Sequence, residues 1–253
     1  MKLYRTEGVV LRTYVVREAD KVLVCFSRDR GLLRLWAHGV AKPGSQKRGA
    51  VQPFCRARFM VAAGREIDSV RQADGLDYHG HLHTDLISLT RATYTCELVE
   101  GFAAEGQPNI ELYALLLEIL ARLGGTGDHP LLLPAFEIRL LDVSGFGPVL
   151  ETCQGCGATA DQPGLSFSPL QGGILCASCR DGESGALSVS LGSIRTLETL
   201  RSWPLDRLSN LKPDSDTIRD ITRILRSTIG VHLEKQPKSL SFLAEITTSY
   251  PKA

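Results

Sequence analysis

The chain has 253 residues, 43% of them hydrophobic and 23% charged, with 24 glycines and 12 prolines; this is a globular composition and excludes a low-complexity or collagen-like polymer. At one domain per roughly 150 residues, the length favours two units. No apolar run reaches the roughly 18 to 20 residues of a membrane helix, and MKLYRTEGVVLR is charged every few residues where a signal peptide is apolar, so a cytoplasmic protein with no membrane partner is expected.

The formal net charge of +1 conceals a split. Residues 1–80 hold 15 Lys and Arg against 8 Asp and Glu, a balance of +7, whereas residues 81–253 hold 14 against 20, a balance of −6. A positive field confined to one small domain attracts polyanions whatever the total charge, and phosphate backbones are the commonest such target inside cells.

The first 71 residues read as short strands separated by turns: GVVLRTYVV (Gly8 to Val16), KVLVCFSR (Lys21 to Arg28), LLRLWAH (Leu32 to His38), FCRARFMVA (Phe54 to Ala62) and EIDSVR (Glu66 to Arg71). Five strands in this length suggest an OB-type barrel, whose strand 2 and 3 face is a platform for oligonucleotides. Alternation puts Phe54, Arg56, Arg58 and Met60 on one face of the fourth strand and Cys55, Ala57, Phe59 and Val61 on the other, which is the expected core face. The same rule groups Arg34, Trp36 and His38 opposite Leu33, Leu35 and Ala37. An aromatic between cations can stack a base while the cations follow the phosphates; equally, Trp36 could cap one end of the barrel core. Gly39 to Gln52, with Lys42, Lys47 and Arg48 among glycines, reads as a mobile basic loop.

From Thr84, read as an N-cap, the period becomes helical, with Leu86, Leu89, Thr93, Cys96 and Val99 on one face. A second helix runs from an N-cap at Asn109 to a stop at Gly124, with Leu112, Leu115, Leu116, Ile119 and Leu123 as its apolar stripe. A third carries Pro134 in its first turn and ends at Gly145, and two more follow in LGSIRTLETLRSW and DSDTIRDITRILRSTIGVHL. The last is read with Ile218, Ile221, Leu225 and Ile229 inward and Arg219, Arg223 and Arg226 on another face, a candidate contact for an acidic partner. The expected fold is therefore α+β: a barrel domain over residues 1–80, then a mainly α-helical domain over residues 81–253.

Embedded in the second domain, at about residues 150–183, are two C-x-x-C pairs, Cys153 with Cys156 and Cys176 with Cys179. Two such knuckles close a tetrahedral site, so a zinc ribbon holding one structural Zn2+ is expected; four thiolates leave no open position for catalysis. Redox chemistry at a single pair would need a βαβ pattern that is missing here. Cys25, Cys55 and Cys96 stand apart and read as small buried hydrophobes.

Enzyme signatures are missing: the chain contains no G-x-x-x-x-G-K-[ST], G-x-G-x-x-G or G-x-S-x-G, so no catalytic residue is assigned and a non-enzyme is expected. HGHLHTD, with His79, His81, His83 and Asp85, partly matches an H-x-H-x-D-H hydrolase motif, but Leu86 occupies the sixth position. Metal-dependent hydrolysis through His81, His83 and Asp85 is one alternative, and a zinc-ribbon adaptor between proteins without a DNA role is another.

GVVLRTY, READKVLVCFSRDRGLLRLWAHGVAKP, VQPF, FEIRLLDVSGFGP, the cysteine pairs around GGILC and a closing KSLSFL together resemble the RecO family of DNA repair mediators over nearly the whole chain. That resemblance implies an OB-fold domain, a helical domain and a zinc ribbon acting in recombinational repair in the bacterial cytosol and nucleoid. It also implies binding of single- and double-stranded DNA, annealing of complementary strands and, with the partner RecR, assistance to RecA in replacing the single-strand-binding protein SSB. The DNA-binding candidates are Arg12, Lys21, Arg34, Trp36, Lys42, Lys47, Arg48, Arg56 and Arg58. By the same analogy the helical domain would hold the acidic, hydrophobic C-terminal tail of SSB, bordered by Arg219, Arg223 and Arg226.

Overall fold

The computed structural model describes residues 2–249 except 127, 162, 184 and 234, with side chains described up to residue 246. The chain forms two compact units, Met1–Thr126 with Pro237–Ala253, and Gly127–Gln236. The first unit joins to the barrel the two helices after it and the C-terminal helix.

The barrel contains five strands, β1 (Leu3–Arg17), β2 (Asp20–Ser27), β3 (Gly31–Ala37), β4 (Arg56–Ala62) and β5 (Asp68–Asp77), closed in the order β1-β2-β3-β5-β4. β3 and β5 close it through a short parallel pairing, Leu35 with Asp68 and Trp36 with Ser69. Closure follows from the alternation: Val10, Leu23, Cys25, Leu35, Ala37, Cys55, Ala57, Phe59, Val61 and Val70 form one buried core. Arg34, Trp36, Arg56, Arg58 and Met60 lie outside it on the opposite face of their strands, as the pattern requires.

Phe54 precedes β4 and is buried, because its φ of 70° turns the chain and breaks the alternation before the strand begins. Residues 39–52 are not a free loop. Successive turns join Lys42 N to Gly39 O, Ser45 N to Lys42 O, Arg48 N to Ser45 O and Gln52 N to Gly49 O. Val40, Ala50 and Val51 enter the barrel core from this segment. Burying three apolar side chains anchors both ends of the segment and leaves its basic middle outside.

A short 3-10 turn (Gly80–His83) leads into α1 (Leu86–Phe102), then α2 (Ile110–Arg122). The α1 N-cap is Asp85, whose carboxylate accepts from Ser88 N at 2.8 Å, one residue beyond the expected Thr84. An ionised carboxylate caps better than a hydroxyl because it also meets the positive end of the helix dipole. Leu86 is exposed, whereas Ser88, Thr90, Arg91, Ala92, Tyr94, Cys96 and Leu98 are buried, so α1 is covered on more sides than one stripe describes. In α2, Asn109 caps Leu112 N at 2.9 Å and all five expected stripe residues are buried. The C-terminal α6 (Lys238–Ser249) packs on α1, where Ser239 N and Oγ donate to Glu97 Oε2 at 3.0 and 2.6 Å.

The second unit holds α3 (Leu132–Val143), α4 (Leu191–Ser202) and α5 (Ser215–His232), with a four-stranded sheet of β6 (Val149–Cys153), β7 (Ser166–Ser168), β8 (Gly173–Leu175) and β9 (Leu187–Ser188) in the order β6-β8-β7-β9. In α5, Ile221, Ile224, Leu225, Thr228 and Ile229 face inward. Ile218 does not: it is 38% exposed, whereas Thr217 before it is buried. Among the described residues, no helix is long and apolar enough to cross a membrane.

Candidate nucleic-acid interface and metal centre

On the outer face of β1, β2 and β3, register places Tyr14 beside Val22 and Val22 beside Trp36, with Arg12, Val24 and Arg34 forming the next row. Trp36 is half-buried, and its Nε1 donates to Asp20 Oδ2 at 3.1 Å. Asp20 is the organiser here: Oδ1 accepts from Gly39 N at 2.7 Å, and His38 Nδ1 lies 3.1 Å from Oδ2. These bonds, led by the one from Gly39 N, favour the carboxylate and hold its pKa down to about 2. Arg17 lies over the Trp36 ring at 5.3 Å, the His38 ring lies 5.4 Å from it, and Arg12 lies over Tyr14 at 5.5 Å. Trp36 therefore does not cap the core; it lies on the outer face of the barrel with a guanidinium over its ring.

The candidate cations divide by their partners. Arg12 makes a bidentate pair with Glu100 at 2.6 Å, and Arg34 Nε lies 3.0 Å from Glu105. Lys47 Nζ donates to His38 O at 3.0 Å and Val70 O at 3.3 Å, and partial burial beside Arg71 lowers its pKa. Lys21, Lys42 and Arg48 form no ion pair among the described residues, and Lys42 follows a bond from Ala41 N to Ala19 O at the Asp20 end of the barrel.

Arg56 and Arg58 belong to a different surface, the outer face of β1 and β4, where Glu7 lies directly opposite Arg58. Arg56 is held by Glu7 at 2.6 and 2.9 Å, with Tyr113 Oη also donating to Glu7 at 3.3 Å. Arg58 reaches Glu7 only at 3.8 Å and is 69% exposed. The structure thus does not bring all nine candidates into one patch.

In the second unit, parallel pairing of β6 with β8 sets Cys153 against Ile174 and so brings the two knuckles side by side. Their four sulfurs lie within 4.8 Å of one another. Cys156 and Cys176 are 3.8 Å apart, close to the edge of about 3.8 Å that a tetrahedron with metal–sulfur bonds of about 2.3 Å requires. Gly155 is needed for this approach, since a Cβ there would lie 2.9 Å from Cys179 Sγ, and Gly157 turns the first knuckle at φ 74°. Burial raises the Cys153 thiol pKa, but the N–H groups of Cys176, Cys156 and Gly155 outweigh it and bring the thiol down to about 6. A sulfur in this state is a ready thiolate ligand, and the donor set fits a soft or borderline divalent metal. Cys25, Cys55 and Cys96 are buried, and desolvation raises their thiol pKa values.

The family model described as Recombination protein O N terminal matches residues 1–79, and Recombination protein O C terminal matches residues 83–241. Curated relatives include the DNA repair protein RecO of Desulforudis audaxviator, 50% identical with 98% of this chain and 99% of the relative covered. Those of Desulforamulus reducens and Pelotomaculum thermopropionicum are 42% and 41% identical, over 98% and 96% of this chain and 97% and 94% of theirs. The chain belongs to the RecO family.

Within this RecO-family chain, the three arginines of α5 are exposed but unequally engaged. Arg219 pairs with Asp216 at 2.6 Å, Arg223 binds Ser188 O at 2.6 Å and Asp220 at 3.1 Å, and Arg226 forms no ion pair among the described residues. The histidine string has structural bonds instead of a shared site. His79 is buried with Nδ1 3.0 Å from Phe54 O, His81 Nε2 lies 3.1 Å from Leu120 O, His83 stacks near Phe54, and Asp85 caps α1. Sequence reasoning missed Tyr14 and Arg17; the signal was present, for Tyr14 alternates with Arg12 in β1, but the bulges between Val10 and Arg12 and between Val15 and Arg17 obscure their facing.

Proposed function

We propose that this RecO-family protein is a DNA-binding recombination mediator that acts without catalysing a covalent reaction. The barrel binds single- and double-stranded DNA and anneals complementary strands. With RecR, it helps RecA replace SSB on gapped DNA in the bacterial cytoplasm and nucleoid. The observation that carries this reading is the outer face of β1–β3, where Trp36 and the 37%-exposed Tyr14 are flanked by Arg12, Arg17 and Arg34. Aromatic faces stack any base and cations track phosphates, so binding is sequence-tolerant and salt-dependent. Lys21, Lys42, Arg48 and Arg58 extend the positive field, whereas Lys47 and Arg56 act mainly by holding the barrel and Glu7.

Cys153, Cys156, Cys176 and Cys179, whose sulfurs are clustered, would hold one ion, and the four-thiolate set fits Zn2+. When bound it supplies structure, cross-linking β6 and β8 through their knuckles. The arginine-bearing side of α5 is the seat for the SSB tail: Arg219, Arg223 and Arg226 are exposed there, with exposed Ile218 beside them as an apolar contact. Arg226→Glu is the clean variant, because Arg223 also supports Ser188; it should weaken binding of an SSB-tail peptide about tenfold, and unchanged affinity removes α5 from that role.

The test of the whole is annealing of SSB-coated complementary oligonucleotides. The wild type should accelerate it, and Trp36→Ala with Arg34→Glu should abolish the acceleration while the protein remains folded. Equal rates with and without the wild-type protein contradict the reading.

A further inference from the structure

A second feature of the barrel is a cleft of about 650 Å³ on the β1–β4 side, lined by Arg5, Glu7, Arg28, Arg58, Met60 and Ile110, among others. Two rows of β1 and β4 make its wall, since Arg5 is opposite Met60 and Glu7 opposite Arg58. Its far side comes from the segment between α1 and α2. Leu32 N donates to Ala104 O and Gly31 bridges to Glu105, which holds that segment against β3 and sets Pro108 and Ile110 over the cleft. Ile110 is 63% exposed at the start of α2, where burial explains nothing about its presence.

The charge of the cleft is unevenly committed. Of its carboxylates, Glu7 is engaged by Arg56 and Tyr113, Asp29 by Thr6 Oγ1 at 2.5 Å and Ser27 Oγ at 3.0 Å, and Asp74 by Gln72. Arg30 also lies 3.7 Å from Asp29. Arg5 and Arg28, both exposed, form no ion pair among the described residues. The lining holds three guanidinium groups and three carboxylates, but all three carboxylates are engaged whereas Arg5 and Arg28 are not. The free guanidinium groups match a phosphodiester, and Met60, Pro108 and Ile110 give a base an apolar surface. The Trp36 and Tyr14 face lies on other strands and shares only β1 with this cleft.

From these placements we infer that the cleft is a second single-strand subsite, so that one chain holds two strands on two separate faces of the same barrel. The inference rests on the nucleic-acid reading above. It gives annealing a geometry: the cleft and the aromatic face each neutralise one phosphate backbone, and the strands are presented together without needing a second protein molecule.

The test is a stoichiometric titration of the full-length protein with oligo-dT of about six nucleotides, within the length that a single OB-type site holds. Donor- and acceptor-labelled strands are mixed, so that energy transfer reports two non-pairing strands on one protein. The wild type should take two equivalents per chain and give energy transfer. Arg5→Gln with Arg28→Gln should take one equivalent and lose the transfer, while its remaining site keeps wild-type affinity; Trp36→Ala should weaken the other site and spare the cleft. Saturation of the wild type at one equivalent overturns the inference and leaves the DNA-binding reading standing. Two equivalents retained by the Arg5 and Arg28 variant also overturn it. No binding at all by the wild type removes the DNA-binding reading itself.

Discussion

Asp20 shows how one side chain sets up the aromatic face. Its carboxylate binds Gly39 N, Trp36 Nε1 and His38 together, fixing the turn after β3 and the indole at once. Because its pKa is depressed in the folded protein from 3.8 to about 2, its contribution is present above the ordinary value and is lost as pH falls through that window. In a Trp203→Phe background, where Trp36 is the sole indole, intrinsic fluorescence should shift between pH 4 and pH 2, and Asp20→Asn should remove the shift. Gly31 is the second such residue, with φ at +64° and a Cβ that would lie 2.1 Å from Gln107 O. Gly31→Ala should cost more than about 2 kcal/mol in urea unfolding, from left-handed strain of about 1 to 2 kcal/mol plus the displaced backbone. Neither role is visible along the chain. Gly31 reads as a hairpin turn residue, and its clash partner is 76 positions away; Asp20 reads as an ordinary turn carboxylate.

At the scale of elements, local pattern specified what local physics controls. The inward alternation of Cys55, Ala57, Phe59 and Val61 and the stripe of α2 follow directly from periods of two and 3.6. The pattern failed where tertiary contacts decide. Residues 39–52 look like a soluble basic connector because their polar middle outnumbers Val40, Ala50 and Val51, yet those three fill the barrel. Deleting residues 39–49 should therefore lower the melting temperature as well as remove charge, and a Lys42→Glu with Arg48→Glu variant, which keeps the core, isolates the charge effect. α1 looks amphipathic but is wrapped by α2, α6 and β1, so its small polar residues are buried as well. The four-cysteine cluster was the most legible feature of all, since C-x-x-C spacing fixes knuckle geometry almost alone; the parallel β6–β8 pairing that joins the knuckles was not. Chelation should lower the melting temperature by about 4 °C or more, given that 1 kcal/mol shifts a chain of this length by about 2 to 4 °C, and calorimetry with and without a strong chelator measures it.

At the scale of the molecule, the charge split puts a +7 balance on the first 80 residues, but the fold spends part of it internally. Glu100 and Glu105, from α1 and the segment after it, occupy Arg12 and Arg34. The exposed Arg34–Glu105 pair is worth only about 0.2 to 1 kcal/mol, so a phosphate can replace that carboxylate at small cost. Glu100→Gln with Glu105→Gln should accordingly tighten single-strand binding a few-fold, as measured by anisotropy at fixed salt. The direct test of a barrel that stacks bases and neutralises phosphates is the affinity of the full chain for single-stranded oligo-dT across a salt series, with Trp36→Ala beside the wild type. Log K should fall linearly against log salt, with a slope of about −0.7 for each phosphate contacted. Trp36→Ala should weaken binding by about 1 to 3 kcal/mol at every salt concentration and leave the slope unchanged. An affinity that ignores salt, or a Trp36→Ala curve lying on the wild-type one, would contradict that role of the barrel.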